Sequence, residues 1–477
     1  MNAVSAKSPR NIFDRVPPAL IRAGAVLAIL ILGVGLGGLL ASPARQTAVA
    51  AIALLLYVVV IVWDPLNGLL LWIITQPVAD LYFNLSLGSG IPDISPTRVC
   101  IALLVALVLA RAAAGRTKLV RFTNIEWVGL IFLIGMTQAV PRSATGWYSL
   151  QGIFDRYFVP PLVYFLAKNL VRDRVEVRKA IVAVTLLSAY VGAYAIYEQL
   201  TGHILLPAGE VTSVDYGNGL RILRGLLGHP HEFGRVLDIA IPLNFFLLLE
   251  EQRPGRRLFF LLTLALGLAG LFVTFRRTAW IAGLASMFIV QWFYPRFRTM
   301  FVVLLLVVGG ITYLYWDQVG ESSVSARVET GNTATLNGRT EGWAYAVELW
   351  EREPLLGQGH GQFARIARRE GQRDTAIESE YYEILVSAGL AGFVPYVLLL
   401  GLLGFSLVTP FRKAHDPATR WLIVVYWGAL VSYVINAYTA TVTQLITTTL
   451  IFLLAGALFQ FQSPRPESQP QALWPLP

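Results

Sequence analysis

The residue types best suited to chemistry here are arginines at the ends of apolar runs: Arg221, Arg224, Arg235, Arg276, Arg277 and Arg339. A guanidinium is planar, stays charged at any physiological pH and can grip two oxygens at once, so it suits phosphate. Arg276-Arg277 stands where one apolar stretch ends and the next begins. Backbone N–H groups at the start of the second helix would add to an anion site there. A single exposed arginine reads equally well as a headgroup contact or a snorkelling side chain. The pair, taken with Arg221 and Arg224, reads as a diphosphate-binding set.

Candidate bases lie nearby in the chain. Glu378-Ser379-Glu380-Tyr381-Tyr382-Glu383 leads into an apolar run. Glu378 or Glu380 could remove a proton from a hydroxyl; acids also favour a helix start for the dipole alone. Glu232 and Glu341 are weaker candidates. His229 and His231 flank Pro230 just before a helix and serve either as catalytic groups or as caps. Arg235 and Asp238, three apart on one helix, could pair. The Gly-rich turn Pro354-Leu355-Leu356-Gly357-Gln358-Gly359-His360-Gly361 permits close backbone approach or ends a helix, with His360 more structural than catalytic. Trp343 and Tyr381 are aromatic neighbours of these groups.

These residues must be held by membrane helices. Of the 477 residues 55% are apolar and 14% charged, with mean hydropathy +0.59. Soluble domains carry about 25% charge, and one core would not bury so much apolar surface. The net charge of +9 sits in short clusters between apolar runs, as in cytoplasmic loops, and does not indicate nucleic acid. A lone cysteine, Cys100, excludes an internal disulfide and a cysteine zinc site.

The expected fold is all-α, a polytopic bundle of about 12–14 spans. Windows suited to spanning are 23–41, 46–63, 66–82, 97–113, 124–140, 152–170, 178–199, 234–250, 257–275, 278–294, 299–316, 383–408, 421–438 and 442–462. The first, behind Lys7, Arg10 and Arg15, is too long for a cleaved leader and reads as a membrane helix. With the N-terminus inside, every basic cluster of a short loop falls inside except Arg276-Arg277. Two long segments, about 201–233 and 317–382, then fall outside. The second should contain an amphipathic helix over Arg339–Glu353, with Trp343, Ala346, Val347 and Trp350 on one face. The organisation is therefore 1–200 N-terminal spans, 201–382 a catalytic region, 383–462 C-terminal spans, and 463–477 a Pro-rich, disordered cytoplasmic tail.

In these segments the chain resembles the bacterial O-antigen ligase and O-antigen polymerase superfamily. The resemblance rests, in order, on Arg224, Gly225, His229 and Pro230; on Arg277, Thr278, Ala279 and Trp280; on Arg339, Trp343, Pro354, Leu355, Leu356, Gly357 and Gly359; and on Gly389-Leu390-Ala391-Gly392. It implies transfer of a glycan from an undecaprenyl diphosphate carrier to an acceptor glycan or glycolipid. The reaction would lie at the outer face of the inner membrane, with no cofactor, no metal, both termini cytoplasmic and possible involvement of a chain-length regulator. It also implies that Arg224, Arg277 and Arg339 hold the diphosphate, with Arg221 beside them. One departure stands out. Family ligases, and many polymerases, place His, usually His-Asn, eleven residues before the glycine matching Gly389, where this chain has Glu378-Ser379. That favours a polymerase over a ligase acting on lipid A core. A lipid flippase or transporter is the rival class, supported by Glu126, Asp155-Arg156 and Asp238 within or beside apolar runs.

Overall fold

The computed structural model describes residues 45–82, 93, 95–146, 148–204, 223, 225–295, 297–314, 332–372, 377–442 and 444–461. The expected first span 23–41, the tail 463–477 expected to be cytoplasmic, Arg221 and Arg224 lie outside the described residues. Two compact units are separated, Met1–Val59 and Val60–Pro477. The first is helical over its described part, Arg45–Val59. Everything below concerns the second.

Among the described residues every regular element is a helix: α1 Arg45–Trp63, α2 Pro65–Tyr82, α3 Pro96–Ala113, α4 Asn124–Thr137, α5 Tyr148–Ile153, a π-helical turn Phe154–Phe158, α6 Val159–Leu170, α7 Arg174–Thr201, α8 Pro230–Glu250, α9 Pro254–Val273, α10 Arg277–Phe293, α11 Phe297–Leu314, α12 Asn332–Arg352, α13 Gln362–Arg369, α14 Glu380–Phe405, α15 Val408–Lys413, α16 Pro417–Thr439 and α17 Leu445–Leu458. Among the described residues, five stretches are long and apolar enough to cross a membrane: α3, α7, α9, α14 (merged with α15 as Glu380–Lys413) and α16. The protein is a multi-pass membrane protein built as an all-α bundle.

Helix starts follow local chemistry. Asp64, Ser95, Asp173 and Asp416 accept hydrogen bonds from the first backbone N–H groups of α2, α3, α7 and α16. Pro96, Pro230, Pro254 and Pro417 occupy early positions where no N–H is needed. Asp64 also explains why 46–63 and 66–82 form two helices, since it ends one and caps the next.

Helix α8 is the centre of this unit. Every residue from Pro230 to Leu248 is buried, and α7, α9, α10, α16 and α17 pack around it. Small residues let helices approach, as in membrane bundles generally. A Cβ added to Gly270 of α9 would sit 2.5 Å from the Cα of Gly192 on α7.

Ion pairs mark the two ends of the helices. Arg178 with Glu251 (2.5 Å) and Arg174 with Asp416 (2.6 Å) tie the start of α7 to the end of α8 and the start of α16. The opposite end gathers the starts of α8, α10, α14 and α17 with the ends of α9 and α16, and it holds the candidate site.

Two expectations are corrected. The helix expected over Arg339–Glu353 begins at Asn332, and its buried stripe is Gly342, Tyr345, Ala346 and Leu349, rotated about one position from that expected. The reason is its partner: Tyr345, Ala346 and Leu349 form a small core with Phe363, Ala367, Ile377 and Val386, which outweighs the tryptophans. Arg235 does not pair with Asp238. It reaches back one turn to Glu232 at 2.8 Å, while Asp238 accepts from Asn436 Nδ2 at 2.6 Å. Side chains on a helix lean toward its N-terminus, which favours the backward partner.

Candidate functional site

Helix α12 carries Arg339 and Trp343 one turn apart, so both project from one face. Ile377–Ser379 runs against it with extended backbone at Ser379 (φ −164°, ψ 132°) before α14 begins. This brings Arg339 Nε onto Glu378 Oε2. Both remain partly open to solvent, at 25% and 45% of side-chain exposure. Two expected site residues, separated by 39 positions, thus meet directly.

Glu380 faces elsewhere. It is buried and holds three donors: the Arg156 guanidinium, Tyr157 Oη at 3.1 Å and the Val442 backbone N–H at 2.8 Å. Arg156 and Tyr157 both reach one carboxylate from within the π-helical turn 154–158, an element that often marks functional positions. Buried and holding three donors, Glu380 ties the π-helical turn to the start of α14 and to the loop after α16. Glu378 is the acid open to solvent.

A second layer fixes this segment. Thr441 Oγ1 donates to Ile377 O. Arg235, fully buried, donates to the carbonyls of Asn436 (3.1 Å), Thr441 (3.1 Å) and Ala440. Glu232, its ion partner, accepts from Thr447 Oγ1 at 2.8 Å. The loop after α16 is therefore tied to α8 on one side and to the Glu378 segment on the other. Glu232 belongs to this scaffold. Glu341 is exposed on α12.

Arg276 caps α10, and Phe275 before it has φ +49°, a left-handed conformation costly for a bulky side chain and typical of constrained functional turns. Trp280 secures the turn by donating to Leu271 O at 3.0 Å and stacking on Phe272. Burial, and next the charge of Arg276, push His229 below its ordinary pKa. Its ring stacks on His231, with centroids 5.0 Å apart and planes within 7°. His229 Nδ1 accepts from the His231 N–H, so it caps α8. The charges of Arg339 and Arg276 also act on His231, and that of Glu378 on His229. Arg276, Arg339, Glu378 and the two histidines share one electrostatic neighbourhood. Arg277, exposed at the first position of α10, forms no ion pair among the described residues.

The Gly-rich turn lies apart from that neighbourhood. Helix α14 breaks at Gly389 (φ 60°, ψ −157°). The freed Val386 and Ser387 carbonyls accept from Gln358 N (2.7 Å) and Gly359 N (3.0 Å), while Leu390 N and Ala391 N donate to Pro354 O (2.9 Å) and Leu355 O (3.0 Å). Arg142 secures the turn by donating to the carbonyls of Leu356 and Gly357, both at 2.9 Å. The turn therefore both ends α12 and repairs a broken helix. His360 within it is held through its backbone to Ala144 (3.0 Å). Burial, and then the Arg156 charge, lower its pKa to about 4, so it is neutral and removed from Arg339.

Tyr381 Oη donates to Val434 O at 3.3 Å, and its ring meets Tyr396 and Tyr438. Trp343 stacks on Tyr382. Sequence reasoning missed the roles of Arg142, Tyr382 and Tyr438. For Arg156 the signal was present, an ionisable pair at an apolar run, but it pointed toward transport.

Residues 262–397 match the family model described as O-antigen ligase. That stretch holds Arg276, Arg277, Arg339, Trp343, the Gly-rich turn, Glu378 and the Gly389 break, and over it the chain is similar to that family. The match supports the O-antigen ligase and polymerase superfamily as the source of the resemblance. The helices α16 and α17, whose connecting loop holds Glu380 and Arg235, lie beyond it. No curated protein matches the chain.

Proposed function

We propose that the protein is a metal-independent, inverting glycosyltransferase that elongates an O-antigen or exopolysaccharide on an undecaprenyl diphosphate carrier, at the outer face of a bacterial inner membrane. The observation that carries this reading is the direct contact between Arg339 and Glu378, a phosphate-type ligand and a carboxylate base in one accessible place. Arg276 and Arg277 stand at the same end of the helices, and Arg221 and Arg224 are proposed to join them.

In the proposed reaction the acceptor hydroxyl oxygen attacks the anomeric carbon and the bond from that carbon to the diphosphate breaks. Undecaprenyl diphosphate leaves with the electron pair, and Glu378 takes the hydroxyl proton. Arginines neutralise the charge that grows on the leaving oxygen, where loss of one such contact commonly costs about 3–4 kcal/mol of transition-state stabilisation. The diphosphate would also compete with Glu378 for Arg339, so substrate binding would release the base. Glu380, buried and already holding three donors, is the poorer base.

A second reading, ligation onto lipid A core, is favoured by the description of the matching family. Purified protein in nanodiscs, given lipid-linked oligosaccharide extracted from the producing cells, separates the two. Longer carrier-linked glycans, lost in Arg277→Ala, support the polymerase. Carrier release only when lipid A core is added supports the ligase. Carrier binding without turnover on any acceptor removes both and favours a transporter.

A further inference from the structure

Two contacts join α12 to the start of α14. At the first, Arg339 meets Glu378. One helical turn along α12, Trp343 meets Tyr382, with ring centroids 5.7 Å apart and planes within 22°. Tyr438, in the last turn of α16, reaches the same indole at 5.1 Å. A cluster of rings from three helices therefore begins one turn from the ion pair.

We propose that Trp343, Tyr382 and Tyr438 form the stacking platform for a pyranose ring of the lipid-linked glycan. The proposal rests on the glycosyl-transfer reading and deepens it. A pyranose presents C–H bonds on its faces and hydroxyls on its rim. The C–H face packs on the electron-rich face of an aromatic ring, and the rim needs hydrogen-bonding groups at the ring edges. This cluster offers both. Tyr438 is 47% exposed, although its neighbours Ala437 and Ala440 are buried. Trp343 Nε1, at the buried edge of the cluster, has no hydrogen-bond partner among the described residues, an unmet donor beside the rings.

Two other uses of the rings fit less well. In an interfacial belt the rings face lipid, whereas Trp343 is held between Tyr382 and Tyr438, which leaves Tyr438 as the ring with an open face and Trp343 as its support. A polyprenyl tail needs an uncharged lining, and Arg339 and Glu378 stand one turn away. Arg339 and Trp343 are one helical turn apart, about 6 Å along α12, so a sugar attached to a diphosphate held at Arg339 would fall beside the rings.

The test measures affinity of protein in nanodiscs for two probes, bare undecaprenyl diphosphate and undecaprenyl diphosphate-linked oligosaccharide from the producing cells. Variants are Trp343→Leu, Trp343→Phe and the surface change Tyr438→Leu, with melting curves confirming the fold. The expected result is about tenfold weaker binding of the sugar-bearing carrier by Trp343→Leu and about threefold by Tyr438→Leu, with bare carrier unchanged and Trp343→Phe close to wild type. Equal weakening toward both probes would overturn the platform, assigning the rings to the lipid tail or to packing. Unchanged affinity for both would overturn it while leaving glycosyl transfer standing. Wild-type protein that binds neither probe would overturn both.

Discussion

Glu378 and Glu380 stand two positions apart and are held by different parts of the molecule, Glu378 by Arg339 of α12 in an open setting and Glu380 by Arg156 of the π-helical turn in a buried one. The extended backbone at Ser379 separates their directions. The same residue type in one short segment therefore has two different consequences when removed.

Glu378→Gln is expected to lower turnover by at least about 100-fold, the usual scale for a lost general base. The exposed pair contributes under about 1 kcal/mol to folding, so the melting temperature should stay near wild type. A product assay beside a melting curve checks both. Normal turnover would remove Glu378 as the base.

Glu380→Ala should show the reverse order of effects. Removing one partner of a buried ion pair commonly costs about 3–5 kcal/mol, because the other charge is left unpaired. Arg156→Met should cost similarly, and the double change Glu380→Ala with Arg156→Met should lose clearly less than the two single losses added together. Thermal unfolding in detergent measures this, and additive losses in the double variant would contradict the pairing.

His360 predicts an acid-side loss of stability. Its folded pKa is lowered from 6.5 to about 4, so between those values the unfolded chain binds the proton and the folded one does not. Stability from this group is complete above pH 6.5 and falls as pH drops toward 4. The loss is on the order of 1–3 kcal/mol after allowance for partial solvent access. His360→Gln should flatten melting temperature against pH over that window. A wild-type slope in the variant would place the titration elsewhere.

Gly389→Ala should prevent correct folding. Its φ of 60° with ψ −157° is open almost only to glycine, and an added Cβ would lie 2.5 Å from the Leu355 carbonyl carbon. Gly310→Ala, where an added Cβ meets nothing within 4 Å, is the control. Monodispersity on size exclusion distinguishes them, and a well-folded Gly389→Ala would mean the 354–359 turn is not locked to α14.

Much of the framework was legible along the chain. Expected spans over the described residues correspond to helices with ends within a few positions, because apolar runs, Pro at helix starts and Asp or Ser caps act locally. The segment holding Arg339, the Gly-rich turn and Gly389 was legible too, as an ordered set of motifs. Less legible were the partners. The one-position rotation of α12 came from Phe363, Ala367 and Ile377, none of them on that helix. The Arg235 to Asp238 spacing looked right for a pair, yet Glu232 on the N-terminal side took the arginine.

By itself the sequence determined that the chain is an apolar helical bundle with arginines and acids gathered outside the spans, since hydropathy and capping add up over neighbouring residues. Only the tertiary structure decided which acid is open and which is anchored. Arg156 and Glu380 are separated by 224 positions. Nothing in local propensity specifies such a contact; it forms when the packing of α4, α6 and α14 removes both groups from water and leaves each as the other's charge partner.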